Sequence, residues 1–282
     1  MATIRAIKGR IKSAESTGQI TKSMKLVAAS KMHRTQESMS KLRSFSQRCA
    51  QFLADMPADV VRSNPFLSPH PERKKVCYVL IVGNRGLCGI YNTGVSKYLS
   101  GQLDNGGVEA QVIVLGRWEG DIASEFGDKV IRRMPLSDTP TAAEAREISE
   151  VLCKMYLEGE ADEIVFVYNG FKSVLSQMPV SRILFPAAQE PSEASDVEYI
   201  YEPDRESIIK TLIDMYIDNT VYAVLLEART SEHAARMTAM TAASDNTDEL
   251  VAELNLELNH ARQSAITTEI SEIVGGSAAL AQ

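Results

Sequence analysis

The residues with the most suggestive chemistry are the glycine-rich stretch from Gly83 to Gly89. It reads G-N-R-G-L-C-G and directly follows the apolar run Val76–Val82. A glycine-rich turn after a buried strand is where doubly wound folds bind phosphate groups. The spacing is G-x-x-G-x-x-G, however, which is neither the dinucleotide-binding G-x-G-x-x-G nor the P-loop pattern that ends in G-K-[ST]. A tight structural turn is the favoured interpretation, and phosphate binding stays open as the alternative.

The cysteines and histidines show no spacing that is typical of a catalytic or metal site. Cys88 needs a base beside it to act as a nucleophile, and no histidine lies near it in the sequence. None of the four cysteines forms a C-x-x-C pair, and the histidines lack metal-ligand spacing. The chain also lacks the G-x-S-x-G and H-E-x-x-H motifs. We therefore expect no catalytic residue, no cofactor and no metal.

Composition narrows the class of protein. The chain has 282 residues and a net charge of −7, which argues against a general nucleic-acid binder. Its apolar runs are far shorter than the roughly 18 residues that span a bilayer. The start of the sequence has no apolar signal core, so we expect no targeting segment.

Both ends of the chain are predicted to be long helices. Residues 1–56 and 204–282 contain no proline, and residues 204–282 have glycine only at Gly275 and Gly276. A helix over the second range would be about 110 Å long, which no ordinary core can surround. The first range carries 11 Lys and Arg against 3 Asp and Glu, whereas the second carries 5 against 13. Complementary charge favours pairing of the two helices; unrelated amphipathic helices with solvated charges are the alternative.

The N-terminal segment has a heptad-like stripe of apolar and small residues. Its members are Ile4, Ile7, Ile11, Ala14, Gly18, Thr21, Ala28, Met32, Met39 and Leu42. Small residues on this stripe would let a second helix approach closely, and Lys25 interrupts it. The pattern indicates either a thin, partly polar coiled coil or a weakly packed helix.

The middle of the chain has a different character. All ten prolines lie in 57–203, and 57–75 is interpreted as a linker. The predicted strands are Val76–Val82, Ala110–Leu115, Glu163–Tyr168, Val180–Phe185 and Val197–Tyr201, and the predicted helices are 93–103 and Thr141–Glu158. This alternation predicts an α/β domain at 76–203 with a mostly parallel sheet.

Four stretches together resemble one known family, the gamma subunit of F-type ATP synthase. They are Ile20–Met32, Arg85–Gly89, Ser231–Met237 and Ala261–Gly276. They occur in the family's order, and the resemblance extends over nearly the whole chain. The resemblance implies an antiparallel coiled coil of the terminal helices plus a central Rossmann-like α/β domain. It also implies a non-catalytic rotor shaft, present once in each complex, for ATP synthesis coupled to ion transport.

The resemblance further implies partners and contact residues. The expected partners are a hexamer of three alpha and three beta subunits, the epsilon subunit and the c-ring, with membrane association only through them. The expected contacts with beta-subunit loops are Arg262, Gln263, Thr267, Arg236, Met24 and Lys25. Tyr199, Tyr201 and Glu202 are expected at the c-ring, and Cys88 near epsilon.

The expected location is the cytoplasmic face of a bacterial inner membrane, with an organelle inner membrane as the alternative. Two other function classes stay open from the residues themselves. One is a catalytic α/β protein that binds a phosphate ligand at the glycine turn, and the other is a static coiled-coil scaffold.

Overall fold

A computed structural model describes residues 4–56, 62–70, 73–104, 108–118, 122–187, 202 and 204–280. The main elements within these ranges are α1 (Ile4–Ala54), β1 (Lys75–Ile81), α2 (Tyr91–Asp104), β2 (Glu109–Leu115), α3 (Ile122–Phe126), a 3-10 turn (Gly127–Lys129), β3 (Val130–Met134), α4 (Ala142–Leu157), β4 (Glu163–Ser173), β5 (Ser176–Phe185) and α5 (Arg205–Leu280). The two proline-free ends are thus helical, as predicted.

The strands form one mixed sheet in the order β3-β2-β1-β4-β5. β1 pairs in parallel with both β2 and β4, β2 pairs in parallel with β3, and β4 and β5 form an antiparallel hairpin. β1 lies at the centre because its apolar run is buried on both faces, which is typical of parallel strands covered by helices. The predicted α/β class with a mostly parallel sheet is confirmed.

The chain forms two compact units whose borders fall inside the two long helices. Unit 1 comprises Met1–Val27 and Met237–Gln282, and unit 2 comprises Ala28–Arg236. α1 and α5 therefore contribute residues to both units.

Unit 1 contains an antiparallel helix pair. Lys22 Nζ donates to both carboxylate oxygens of Asp248, at 3.1 and 3.0 Å, and Arg10 lies 3.7 Å from Glu257. As the residue numbers on α1 rise from 10 to 22, the residue numbers of their partners on α5 fall from 257 to 248, so the two helices are antiparallel. A Cβ added at Gly18 would lie 3.2 Å from Thr247 Cγ2, so this small residue allows the close approach predicted for the stripe. The predicted antiparallel pairing of the chain ends is confirmed here.

Unit 2 has an apolar core on each face of the sheet. One face packs against α4, the end of α1 and the 209–228 part of α5, with Phe166, Leu152 and Val224 fully buried. The other face packs against α2 and α3 through residues such as Leu99 and Ile122. α4 begins with a capping box in which Thr141 accepts from the backbone N–H of Glu144 and the Glu144 carboxylate accepts from Thr141.

Some elements differ from the sequence predictions. β3 was not predicted, because it is a short edge strand whose Arg132 and Arg133 are exposed. The hairpin strands are longer than predicted, since β4 runs to Ser173 and β5 begins at Ser176. Within the predicted linker, Leu67 is buried and Phe66 stacks 6.2 Å from Tyr156. The predicted strand Val197–Tyr201 lies outside the described residues.

Candidate functional site

The glycine turn lies at the carboxyl end of β1, where an α/β sheet would bind a ligand. β1 is flanked by β2 and β4, so the strand order reverses at this point. The Gly83 N–H, a possible phosphate donor, already donates to Asn92 Oδ1 at 2.8 Å. A Cβ on Gly83 would lie 3.0 Å from Glu232 Oε1 of α5. The chain's own helix thus places a carboxylate in the crevice, and a carboxylate there repels a phosphate.

Arg229 of α5 is the centre of this arrangement, with a side chain 0% exposed. Its Nε donates to Ser137 O at 2.9 Å. Nη1 donates to Val82 O at 3.2 Å and to Glu232 Oε2. Nη2 donates to Asn84 Oδ1 at 3.2 Å and to Leu136 O at 2.9 Å. All five N–H groups of the guanidinium are therefore satisfied, as a buried arginine requires.

Glu232 and Arg236 extend the network along the same face of α5. Arg236 Nη2 donates to Glu232 Oε1 at 2.7 Å and to the carbonyls of Arg85 and Gly86 at 3.3 and 3.4 Å. Burial alone would raise the pKa of Glu232, but the Arg229 and Arg236 guanidinium groups outweigh it and hold the pKa below its ordinary value. The carboxylate is charged at neutral pH and is shared between the buried guanidinium of Arg229 and the half-buried guanidinium of Arg236.

A second branch connects the network to α1. Lys31 forms an ion pair with Asp138, whose other oxygen accepts from Asn84 Nδ2 at 2.9 Å. His233 Nε2 donates to Asp138 O at 2.9 Å, while its buried Nδ1 has no partner among the described residues. Burial lowers the pKa of His233, since protonation would leave a buried N–H without an acceptor.

We call Lys31, Asn84, Asp138, Arg229, Glu232 and Arg236 the junction cluster. It is not evident from the sequence, because its members come from four distant segments. The available signal was the spacing of Arg229, Glu232 and Arg236, which places three charged residues on one face of α5.

Cys88 lies beside the junction cluster and is 2% exposed. Burial raises the pKa of its thiol, so it lacks the thiolate character of a catalytic cysteine. Asn92 Nδ2 donates to its sulfur at 3.6 Å. Its side chain is thus mainly covered by the chain itself, and its predicted contact with epsilon stays a prediction.

The residues predicted to contact beta subunits lie in both units. Arg262, Gln263 and Thr267 are exposed on α5 in unit 1, and Met24 and Lys25 are half-buried on α1 in the same unit. Arg236 belongs to unit 2, and its side chain is only 12% exposed because it bonds to the glycine turn. The structure therefore leaves the first three free to meet a partner and engages Arg236 internally.

The exposed residues near the end of α5 include an apolar row. Ile266, Ile270 and Val274 follow Arg262 at four-residue intervals and are 49%, 56% and 62% exposed. Residues four apart lie on the same helix face. An exposed apolar face bordered by polar side chains is typical of a protein contact surface.

The residues predicted at the c-ring lie just before α5. Tyr199 and Tyr201 are outside the described residues, and Glu202 is exposed. Asp204 follows it and accepts from the Ser207 N–H at 2.8 Å, as an N-cap residue does.

Neither metal binding nor membrane insertion is indicated in the described part of the chain. Within it, no three His, Cys, Asp or Glu residues are grouped so that they could hold a metal ion. Its helices include none with an apolar stretch long enough to cross a bilayer.

The chain has a mixed-sheet α/β domain and an antiparallel pair of terminal helices, and comparisons with known proteins identify its family. The family model described as ATP synthase matches residues 3–280. The ATP synthase gamma chain of Desulfitobacterium hafniense is 39% identical over 282 residues, covering 99% of this chain and 100% of the relative. That of Chlorobaculum parvum is 40% identical over 293 residues, covering 100% of both. The chain belongs to the ATP synthase gamma-chain family.

Solved structures agree with this fold. The chain is similar to a chain of the Euglena gracilis mitochondrial ATP synthase, with a TM-score of 0.69, 19% identity and coverage of 98% of this chain and 94% of that one. It is also similar to a chain of the Tetrahymena thermophila mitochondrial central stalk and c-ring, with a TM-score of 0.62, 25% identity and coverage of 80% and 99%.

Proposed function

We propose that the chain is the central rotor shaft of an F-type ATP synthase and is not itself catalytic. It couples ion-driven rotation of the c-ring to the conformational cycle of the catalytic beta subunits. The observation that carries this proposal is the exposed face of α5 around Arg262 and Ile266, presented on a paired helix in a member of the gamma-chain family.

The exposed apolar row suits a surface that turns inside a ring. Apolar contact is non-directional, so it does not lock the shaft at one angle. The polar side chains of Arg262, Gln263 and Thr267 interrupt this surface and would define dwell positions against beta-subunit loops. Met24, Lys25 and Arg236 would contribute further beta contacts.

The other partners follow from the same role. Tyr199, Tyr201 and Glu202 would meet the c-ring, and Cys88 would lie near epsilon. One copy would serve one hexamer of three alpha and three beta subunits. The chain would be peripheral at the cytoplasmic face of a bacterial inner membrane and held there by its partners.

The glycine turn does not favour the alternative of a catalytic protein that binds a phosphate ligand there. The Gly83 N–H of that turn donates to Asn92, and Gly83 faces the Glu232 carboxylate, which would repel a phosphate. Calorimetry of the chain with ATP should show no binding heat. A stoichiometric heat would restore the catalytic alternative.

A reversible cross-link separates the rotor from a static scaffold. A cysteine at the exposed Thr267 is paired with one in a facing beta-subunit loop of the assembled complex. The native thiols are buried or half-buried, so the introduced cysteine reacts preferentially. We expect oxidation to stop ATP hydrolysis and reduction to restore it. Hydrolysis that continues at full cross-linking would show that the chain does not turn.

A further inference from the structure

Three separate parts of unit 2 meet at the junction cluster. α1 contributes Lys31, and α5 contributes Arg229 and Glu232. The sheet contributes the end of β1, while the loop after β3 contributes Asp138. A second polar contact joins the helices directly, because Thr230 Oγ1 donates to Thr35 Oγ1 at 2.8 Å. The cluster thus joins α1, α5 and the carboxyl end of the sheet through ion pairs and hydrogen bonds.

The contacts that surround this cluster are of a different kind. α5 packs on the sheet through apolar residues such as Ile213, Ile217 and Val224. Apolar contact resists separation, but it is non-directional and resists sliding only through shape. Hydrogen bonds to ionised groups lose strength steeply when their angle changes. The junction cluster therefore fixes the rotation and the axial position of both helices against the sheet.

Arg229 is especially suited to this task. Its planar guanidinium is bonded in three directions, to the β1 end, to the loop after β3 and to Glu232 on its own helix. A lysine has three donors on a flexible stem and could not reproduce this fork. Even a fully paired buried charge is often no more stable than an apolar side chain of similar volume, so the presence of Arg229 fits a role that needs directional bonds.

We propose that the junction cluster is the joint through which torque passes between the α/β domain and the two long helices. Arg229 and Lys31 are its positioning residues. The proposal rests on the rotor function proposed above. It assigns mechanical coupling to ion pairs inside the chain, one buried and one partly exposed, whereas the rotor function concerns contacts with partners.

The test uses the membrane-embedded complex with Lys31→Met or Arg229→Leu in this chain. Lys41→Met is the matched control, since Lys41 lies on the same helix, is 75% exposed and pairs only with Glu37 among the described residues. Three quantities are measured: ATP hydrolysis by the ring assembled without the c-ring, ions pumped per ATP hydrolysed, and thermal angular fluctuation of a probe on the α/β domain. Circular dichroism checks that each variant is folded.

Lys31→Met should leave hydrolysis by the ring unchanged and lower the ions pumped per ATP. We expect the angular variance to exceed that of Lys41→Met, because the ion pair between α1 and the loop after β3 is lost. Arg229→Leu should give a larger effect in the same direction. Where Arg229→Leu does not assemble, Lys31→Met decides alone.

Wild-type pumping and angular variance in Lys31→Met would overturn the joint. The rotor function fails separately, because in that case the unmodified chain itself would show no rotation or would not co-purify with the ring. If the junction cluster only stabilises the fold, the variants should have lower thermal stability but unchanged angular variance in the folded complex. That result would also overturn the proposal.

Discussion

Replacing Glu232 by Gln tests whether the buried carboxylate holds the junction cluster together. Its side chain is 1% exposed, and each oxygen accepts from one guanidinium, those of Arg229 and Arg236. Glutamine keeps the volume but turns one acceptor into an N–H₂ donor that faces a donor. Breaking a buried pair by removing one partner costs about 3–5 kcal/mol, and we expect Glu232→Gln to destabilise unit 2 by that amount.

Urea unfolding followed by tryptophan fluorescence measures this cost. Trp118 is the single tryptophan and packs against the α2 side of the sheet in unit 2, so the signal reports on that unit. Glu150→Gln is the matched control, because Glu150 is 69% exposed and pairs with Arg146 one turn away on α4. We expect little change for the control.

The pH dependence of the free energy of unfolding is an independent test of the charge on Glu232. The pKa of Glu232 is held below its ordinary value of 4.5, so its stabilising contribution is complete above that pH and is lost as the pH falls through the folded-state pKa. Glu232→Gln should therefore reduce the loss of stability in acid. A cost no greater than that of Glu150→Gln, with the acid loss intact, would refute the assignment of Glu232 as the counter-ion.

Three further predictions concern the histidine beside the cluster, the helix pair and the exposed tip. Burial holds the pKa of His233 below 6.5, so the unfolded chain binds a proton that the folded chain excludes, and stability should fall as the pH drops below about 6.5; His233→Gln should flatten urea midpoints between pH 5.5 and 7.5, and an unchanged slope would count against it. Lys22 and Asp248 are more than half exposed, so a double-mutant cycle of alanine variants should give a coupling energy of only about 0.2–1 kcal/mol, and a value near zero at low salt would show that the pair does not form. Arg262→Ala should lower the ions pumped per ATP more than Glu253→Ala does, measured in vesicles at equal complex content, and equal effects would contradict the contact assigned to Arg262.

Local signals in the sequence were sufficient for the long helices and the central sheet. The absence of proline outside 57–203 determined α1 and α5, and the unbroken apolar run at 76–82 determined β1. β3 escaped prediction because its edge position exposes two arginines and gives neither an apolar run nor a clear alternation.

The contact residues and the junction cluster mark the limit of sequence reasoning. Arg262 was expected at a beta-subunit contact only because the resemblance implies it, and with Arg262 exposed on α5 that contact stays a prediction. Lys31, Asp138 and Arg229 are far apart in the sequence, and only the folded chain brings their charges together. The same contacts explain why Arg236, predicted at a partner surface, is bonded to Glu232 and the glycine turn instead of being free.

Direct observation of rotation tests the central claim most plainly. A probe is attached to the α/β domain of this chain in a complex whose alpha and beta subunits are fixed to a surface. With ATP present, the α/β domain should turn stepwise in one direction relative to the ring. The turning should stop when Thr267→Cys is cross-linked to a beta subunit. A probe that stays at a fixed angle while the same complexes hydrolyse ATP would contradict the proposed rotor function.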